Sequence, residues 1–491
     1  MSMIRERADW CISRQRHWGL PIPVFYCSDC GKPVCTKESI EAVSAMFAQS
    51  GSNAWYELDA KDILPDGFVC PHCGGTHFTK ETDTLDGWFD SGSSHFSVIE
   101  NKEGVHWPAD LYLEGADQYR GWFQSSLLTA VGSKGEARAP YKTVLTHGWV
   151  VDGEGKAMHK SLGNSLMPED MIKKYGADLV RLWVASSDYR VDVRASDNIF
   201  KQLSETYRKI RNTARILMAN IGDFNPDTDM VAVADMYDID KWAISKCNAL
   251  AAVVRRAYDD YEFHIVYHAV NNFCTIDLSK LYIDITKDRV YTEAKDSAAR
   301  RSAQTAMYTI LSALTRMVAP LIAFTGEEIW QSMPHDSACD RVSVFCNPMP
   351  KYDAALEFPE LTARYDKLFA CRDTVMKALE LARAEKVIGK SLDAKADIYV
   401  NNENEYALLN SFGEDCLEDI FITSGVNLHK GEAPAGAYVD TETSDTAMIA
   451  ALISPADGER CDRCWKYSTG CGHTDEGTLC PRCEAIVNGT K

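Results

Sequence analysis

The sequence predicts a multidomain protein built from α/β and all-α parts, and three observations carry that expectation. Across 83–195, short apolar runs alternate with helical stretches, the pattern of a parallel sheet. From about 196 onward the apolar residues recur three and four apart, the period of helices packed in a bundle. Four Cys-x-x-Cys pairs, two in the first part of the chain and two near its end, mark two small metal ribbons.

The bulk numbers are consistent with that division. The chain has 491 residues, room for about three domains. It is 45% hydrophobic and 25% charged, a composition that supports sizeable cores. A formal net charge of −19 disfavours non-specific binding to nucleic acid or anionic membranes, although it leaves room for a local basic face. The first twenty residues carry Arg5, Glu6, Arg7, Asp9, Arg14 and Arg16 and lack the apolar core of a secretory signal. No run approaches the roughly 18 apolar residues of a membrane helix, so no membrane partner is expected. Of the 17 cysteines, those outside the pairs are scattered and read as reduced core residues, which points to a cytoplasmic protein.

Taken in order, residues 9–24 open with a dense donor cluster, Arg14, Gln15, Arg16 and His17. It suits an anionic group or, equally, a solvated turn ending at Gly19. Between 25 and 80 lie Cys27/Cys30 and Cys70/Cys73, each pair followed by glycine at Gly31 or Gly74-Gly75. Glycine there permits the tight knuckle turn that aims N–H groups at sulfur, and four thiolates supply a tetrahedral zinc site. Cys35, His72 and His77 are further donors that leave the ligand set open. The insert between the pairs reads as helical around Ile40–Phe47.

In 83–195 strands are expected at Asp110–Glu114 and Thr143–Val151, with helices at Tyr119–Val131, Pro168–Tyr175 and Ala177–Ser186. Sites in such sheets lie at the carboxyl ends of the strands. The first strand leads into Glu114-Gly115-Ala116-Asp117-Gln118, and the second into the loop 153–165. A shared crevice is therefore expected. The loop carries glycines, Lys156, Lys160 and Ser161, a composition able to close N–H groups and ammonium groups over phosphates. Taken alone it reads more readily as a solvated hairpin, and Glu114 and Asp117 more often as helix-capping carboxylates than as ligands.

Beyond 196, Phe200, Leu203, Tyr207, Ile210, Ala214 and Leu217 form one helix face, beside a stripe of Arg208, Arg211 and Arg215. Further helices are expected at 239–257, 263–288, 300–332 and 361–386. The stripe is a solvated face or a polyanion contact. Residues 391–455 show shorter runs, including Ala396–Val400 and Ile420–Ile422, which suggest a small α/β piece. The last ribbon carries Cys461, Cys464, Cys480 and Cys483, decorated by Arg460, Arg463, Lys466 and Arg482. Such basic knuckles either touch nucleic acid or serve structure.

Five stretches together resemble bacterial isoleucyl-tRNA synthetases, from the end of their editing insertion to the C-terminus. They are Trp10-Cys11-Ile12-Ser13-Arg14-Gln15-Arg16 with Trp18-Gly19 and Pro21-Ile22-Pro23; Asp86-Gly87-Trp88-Phe89-Asp90-Ser91-Gly92-Ser93; Leu113 through Phe123; Ala157-Met158-His159-Lys160-Ser161; and the terminal Cys-x-x-Cys-Trp ribbon. The resemblance implies part of a Rossmann-type class I catalytic domain with a zinc-ribbon insert (1–195). It also implies a helical anticodon-binding domain (196–390), a small α/β domain (391–455) and a C-terminal zinc ribbon (456–491).

It further implies ATP-dependent, Mg²⁺-assisted activation of isoleucine and its transfer to tRNA(Ile). Glu114, Gly115, Asp117, Gln118 and Trp122 would bind the aminoacyl-adenylate, and Asn164 would support the loop. Met158, His159, Lys160 and Ser161 would bind ATP, with Lys160 catalytic. Arg208, Lys209, Arg211 and Arg215 would contact tRNA, and two zinc ions would sit in the ribbons. The chain departs from that pattern in carrying Ala157 and His159 where the family loop has lysine and serine, and in lacking a His-x-Gly-His segment and an editing domain. A fragment, inactive alone and monomeric, with its N-terminal half encoded separately or lost, is therefore expected. The alternative is a non-catalytic tRNA-binding zinc protein derived from a synthetase.

Overall fold

The computed structural model describes residues 5–134, 138–439 and 449–489. The chain forms two compact units, Met1–Val150 with Arg190–Asp192, and Val151–Tyr189 with Val193–Lys491.

In the first unit, β1 (Phe25–Cys27) pairs antiparallel with both β2 (Pro33–Val34) and β3 (Phe78–Lys80). Between β2 and β3 runs α1 (Lys37–Ser50), started by a reciprocal cap between Thr36 and Ser39. Phe25, Trp55, Cys27 and Cys70 are buried in this subdomain's own core. The helix α2 (Gly87–Gly92) follows, capped by Asp86. Next come β4 (Ala109–Gly115), α3 (Trp122–Lys134) and β5 (Tyr141–His147), with β4 and β5 paired in parallel. This βαβ unit is the expected alternation, with two departures. The helix expected at Tyr119–Val131 starts later, after a 3₁₀ turn at Ala116–Arg120, because Gly121 breaks the helical path. A side chain at Gly121 would collide with the Trp88 ring at 2.9 Å. The strand expected at Thr143–Val151 is interrupted at Gly148, where a Cβ would lie 2.5 Å from the Val191 carbonyl carbon. Glycine is what lets Arg190–Asp192 pass there.

The second unit is dominated by helices. α4 (Pro168–Tyr175) has proline in its first turn and ends at Gly176, φ +88°. α5 (Ala177–Ser186) follows, and then α6 (Asp197–Asn220), capped by Ser196. Phe200, Leu203, Ile210, Ala214 and Leu217 on α6 are buried, as their spacing predicts. α7 (Asp238–Asp259) leads to a helical path expected as one helix over 263–288. It is observed as α8 (Phe263–Asn272), a π-helical stretch Phe273–Tyr282, and α9 (Ile283–Thr292). In the π stretch, hydroxyls bond main-chain carbonyls: Thr275 to Asn271 (2.8 Å) and Ser279 to Cys274 (2.7 Å).

The helix expected at 300–332 is two, α10 (Ala298–Val318) and α11 (Ala323–Ser332), broken where Pro320 supplies no N–H to the ladder. Asp178 of α5, only 7% exposed, fills the break. Its oxygens accept from the backbone N–H groups of Phe324 (3.1 Å) and Thr325 (2.6 Å) and from the Thr325 hydroxyl (2.6 Å). Arg181 donates to the carbonyls of Leu321 (3.0 Å) and Pro320 (2.6 Å). Inside the bundle, fully buried Asp240 accepts from Arg289 (2.6 Å) and from the Tyr282 hydroxyl (2.7 Å).

After α12 (Pro359–Ala384) comes a four-stranded mixed sheet. β6 (Ala394–Val400) lies parallel to β7 (Gly425–Lys430) and antiparallel to β9 (Ile449–Pro455), which pairs with β8 (Tyr438–Val439). α13 (Glu403–Asn410) and α14 (Glu414–Phe421) connect β6 to β7. The Ile420–Ile422 run ends α14, with Ile422 left-handed at φ 56°. β6 buries Ala394, Ala396, Ile398 and Val400, every second residue.

Asp223 is gripped by Arg300 through two bonds (2.7 and 2.9 Å) and by Gln304 (2.8 Å). Arg300 above all holds its carboxyl down to about 2. The folded value lies below the unfolded one of about 3.9. Its stabilisation is therefore complete above pH 4 and lost as pH falls toward 2. Asp223→Asn should cost about 1–2 kcal/mol at pH 7 and flatten the pH profile between 4 and 2. Denaturant unfolding across that range checks this, and an unaltered profile would refute it.

Candidate functional site

The first group of site residues lies at the carboxyl end of β4. Glu114 is exposed there. Gly115 follows in an extended conformation, and a Cβ on it would lie 2.7 Å from Asp117 Oδ1, so a larger residue there would displace the Asp117 carboxylate. Gln118 Nε2 donates to Asp117 (3.0 Å), while Gln118 Oε1 accepts from the backbone N–H of Trp122 (3.0 Å). The side chains of Asp117 and Gln118 thus lock the first turn of α3. Trp122 donates its indole N–H to the Ser91 carbonyl (3.0 Å) and stacks on Tyr112, ring centres 4.1 Å apart and 8° from parallel. Tyr112, fully interior on β4, had no signal in the sequence beyond its place in an apolar run.

Beside α2, a cavity of about 530 Å³ is lined by Arg14, Arg16, Trp18, Thr84, Asp86, Trp88 and Asp90. Arg14 is engaged inside the protein, on Asp86 at 3.0 Å, and Gln15 donates to Asp83 at 2.6 Å. The donor cluster of 14–17 is thus partly spent on this unit's own carboxylates. Burial, with the neighbouring charge of Asp86, raises the Asp90 carboxyl above its usual range.

The loop 153–165 belongs to the second unit. Val151 bridges Ala157, and the backbone of Asp152 and Lys156 closes a hairpin turn (2.9 Å). Asp152 accepts from the N–H groups of Glu154 (3.0 Å) and Lys156 (2.9 Å). Asn164 closes the loop from the far end. Its amide donates to Asp152 (2.9 Å) and to the Ala157 carbonyl (3.1 Å), and its oxygen accepts from the His159 N–H (2.9 Å). The Asn164 bond, then the Lys156 N–H, hold the Asp152 carboxyl below its usual range. Asp152 was not singled out by the sequence, although an aspartate opening a Gly-x-Gly turn is a usable signal. Lys156 is exposed and paired with Glu154 at 2.7 Å. A 3₁₀ turn begins at Lys160 and includes Ser161. The side chain of Lys160 lies outside the described residues. Met158 packs against the bundle core, and His159 is exposed at the loop surface. Of the residues expected to share a crevice, Glu114–Gln118 belong to the first unit and the loop 153–165 to the second.

On α6 the predicted stripe is exposed. Arg208 pairs with Glu205 (2.7 Å), and Arg211 with Glu328 of α11 (3.5 Å).

Both cysteine quartets close as expected. Cys27, Cys30, Cys70 and Cys73 form one cluster and Cys461, Cys464, Cys480 and Cys483 the other, each with its sulfurs within 4.8 Å of one another. Pairs within them lie at 3.6 Å (Cys27–Cys73) and 3.8 Å (Cys30–Cys70, Cys464–Cys480). Tetrahedral zinc with Zn–S of about 2.3 Å places sulfurs about 3.8 Å apart, so the donors fit that ion. The N–H groups of His72 and Gly75 point at Cys70 and Cys73 (3.4 Å each), as the glycine knuckle predicts. The further donors Cys35, His72 and His77 stay outside the quartet; His77 faces Asp29 instead. Three of the four basic residues of the last ribbon turn inward, while Arg460 is exposed. Arg463 donates to the Thr292 carbonyl (2.8 Å), Arg482 to Asp288 (2.8 Å), and Lys466 to Asp419 (2.6 Å).

Residues 1–196 match the family model of class I tRNA synthetases (I, L, M and V), and residues 240–398 that of the anticodon-binding domain of tRNA ligases. Residues 1–196 thus belong to the class I tRNA synthetase family. Several relatives of the chain as a whole are isoleucine–tRNA ligases. It is 51% identical to that of Caldanaerobacter subterraneus subsp. tengcongensis over 489 residues, 99% of this chain and 51% of the relative. It is 49% identical to that of Thermoanaerobacter sp. strain X514, again over 99% of this chain and 51% of the relative. The chain thus spans about half the length of the curated relatives it matches. In fold it is similar to a LeuRS of Agrobacterium radiobacter K84 solved as a ternary complex with tRNA and LeuAMS. The TM-score is 0.51 at 19% identity, covering 84% of this chain and 49% of that one. Among the described residues, no helix is long and apolar enough to cross a membrane.

Two outcomes follow from this geometry. Metal analysis of the chain purified without chelator should find about two zinc ions, one per Cys₄ quartet. Cys461→Ser with Cys464→Ser should leave about one; an undiminished content would disprove the second site. Removing Asn164, which makes three bonds across the loop, should expose the backbone of 153–165. Asn164→Ala is expected to raise the rate of limited proteolysis there by about tenfold or more, at roughly 0.5–1.5 kcal/mol for each of three bonds. Equal rates would show that Asn164 does not hold the loop.

Proposed function

We propose that this chain is the C-terminal half of an isoleucine–tRNA ligase, acting in protein synthesis in the cytoplasm. The observation that carries the reading is the identity of about half of all residues to isoleucine–tRNA ligases along 99% of the chain. In the first half-reaction, an isoleucine carboxylate oxygen attacks the α-phosphorus of ATP. The bond to the bridging oxygen breaks, and pyrophosphate leaves with Mg²⁺. In the second, a hydroxyl of the terminal ribose of tRNA(Ile) attacks the activated carbonyl carbon, loses its proton, and AMP departs.

Glu114, exposed at a strand end, is assigned to the substrate ammonium. Gly115, Asp117, Gln118 and Trp122 are assigned to the walls of the adenylate pocket. The Asp117–Gln118–Trp122 bonds and the Tyr112 stack support this, because they fix the pocket before substrate arrives. The loop's Met158, His159, Lys160 and Ser161 are assigned to ATP. Lys160 would neutralise charge that builds on the departing pyrophosphate as the loop closes. Arg208, Lys209, Arg211 and Arg215 are assigned to tRNA(Ile). The two zinc ions would be structural, since each Cys₄ set leaves no open coordination position. The domain boundaries 1–195, 196–390, 391–455 and 456–491 are proposed with this reading, as is a monomer completed by an N-terminal half.

One observation favours a second reading, a non-catalytic tRNA-binding protein. With Ala157 and His159 in the loop, and Lys156 paired to Glu154, the loop offers fewer cations to phosphate than the family pattern.

Isoleucine-dependent ATP–pyrophosphate exchange separates the two. The chain alone should show none, and adding the N-terminal half of a close relative should restore it. In that restored mixture Lys160→Ala should lower exchange by about 10²–10³. Binding of tRNA without exchange under any complementation would leave only the second reading.

A further inference from the structure

The arginine stripe of α6 has an aromatic neighbour that its assignment to tRNA leaves unused. Phe324, at the start of α11, is 69% exposed although its backbone N–H is held by buried Asp178 at 3.1 Å. α11 lies beside α6 in a register fixed by two contacts. The Tyr207 hydroxyl meets the Thr325 hydroxyl at 2.6 Å, and Arg211 meets Glu328 at 3.5 Å. Phe324 and Glu328 are four apart on one helix face, and Arg208, Arg211 and Arg215 are three and four apart on the other. The ring therefore lies one helical turn from Glu328, the residue that meets Arg211 of the stripe.

An exposed ring on a rigid base beside guanidinium groups is the arrangement that takes an unpaired nucleotide. The base stacks on the ring while cations hold the flanking phosphates. The ion pairs now occupying Arg208 and Arg211 are no obstacle. Their members are 54–67% exposed, and pairs of that kind contribute only about 0–1 kcal/mol. Phosphate can replace such a carboxylate at little cost.

Resting on the tRNA-binding reading of α6, we propose that Phe324 is a stacking platform for one unpaired nucleotide of the bound tRNA, with Arg208 and Arg211 on its phosphates. The platform is pre-built. Asp178 fixes the backbone N–H groups of Phe324 and Thr325, so the ring is presented without a loop having to order first. Phe345 and Val342 are also exposed, but they lie along the flank of α11 tied through Glu327 and Gln331 rather than beside Glu328.

The test is the affinity of the full chain for tRNA(Ile) transcript, measured against salt. Phe324→Ala should weaken binding about 5- to 100-fold, the usual range for one lost stack, with the salt slope unchanged. Phe324→Trp should bind at least as well as the parent. Arg208→Gln and Arg211→Gln should each lower the salt slope by about 1. Parent binding with Phe324→Ala within twofold of it would overturn the platform alone. Equal binding by Phe324→Leu and the parent would also overturn it, since leucine keeps apolar contact but cannot stack. A parent chain that does not bind tRNA would overturn the tRNA-binding reading and the platform together. Circular dichroism of each variant checks that α11 is intact.

Discussion

The second unit is organised around the interruption at Pro320. A helix broken inside a core exposes donors on one side and acceptors on the other, and neither can be left without partners. α5 supplies both complements from one turn: Asp178 to the N–H groups that open α11, and Arg181 to the carbonyls of Pro320 and Leu321 in the connection that follows α10. The charges also match the helix ends, acid to N-terminus and base to C-terminus. Because α5 follows α4, which follows the loop 153–165, the segment carrying the phosphate-loop candidates is fastened to the bundle by the same contacts. Asp197 at the start of α6 adds a second fastening, to Tyr175 at the end of α4.

Electrostatics in this chain is local rather than global. With a formal charge of −19, an attraction for RNA has to come from where cations are left facing outward. The C-terminal ribbon looks basic in sequence, yet Arg463, Lys466 and Arg482 dock it onto α9 and α14. Their partners are backbone carbonyls and carboxylates of the same unit, so these cations hold the ribbon in place. The stripe on α6 is the opposite case. Its ion pairs are shallow, and its helix face is open.

Much of the fold was legible because it is written in local periods. The apolar spacing of α6, the Pro168 start and Gly176 stop of α4, and the alternation in β6 each depend on neighbours only a few residues away. The cysteine quartets were legible for a different reason: thiolate spacing has few other uses. What stayed hidden depends on distant partners. Gly148 ends a strand because Val191 passes it. Gly121 delays a helix because the Trp88 ring is there. Asp178 reads as an ordinary first-turn acid until Thr325, 147 residues away, is placed against it. In the site, the motif residues of 114–122 and 157–164 stood out, but Tyr112 and Asp152, which hold them in position, did not.

The π-helical stretch between α8 and α9 has a consequence for how this part of the chain can vary. It packs more residues into each turn than an α-helix, so everything after it is rotated about the axis, by roughly 100° for each extra residue. That rotation is what brings Arg289 onto buried Asp240 and turns Asp288 and Thr292 toward the ribbon. Deleting a single residue from Phe273–Tyr282 would give a more regular helix locally. It would also swing the Asp240 partner and the ribbon's landing site to another face at once. A substitution there disturbs its own contacts, whereas a change of length displaces both of these distant partners together.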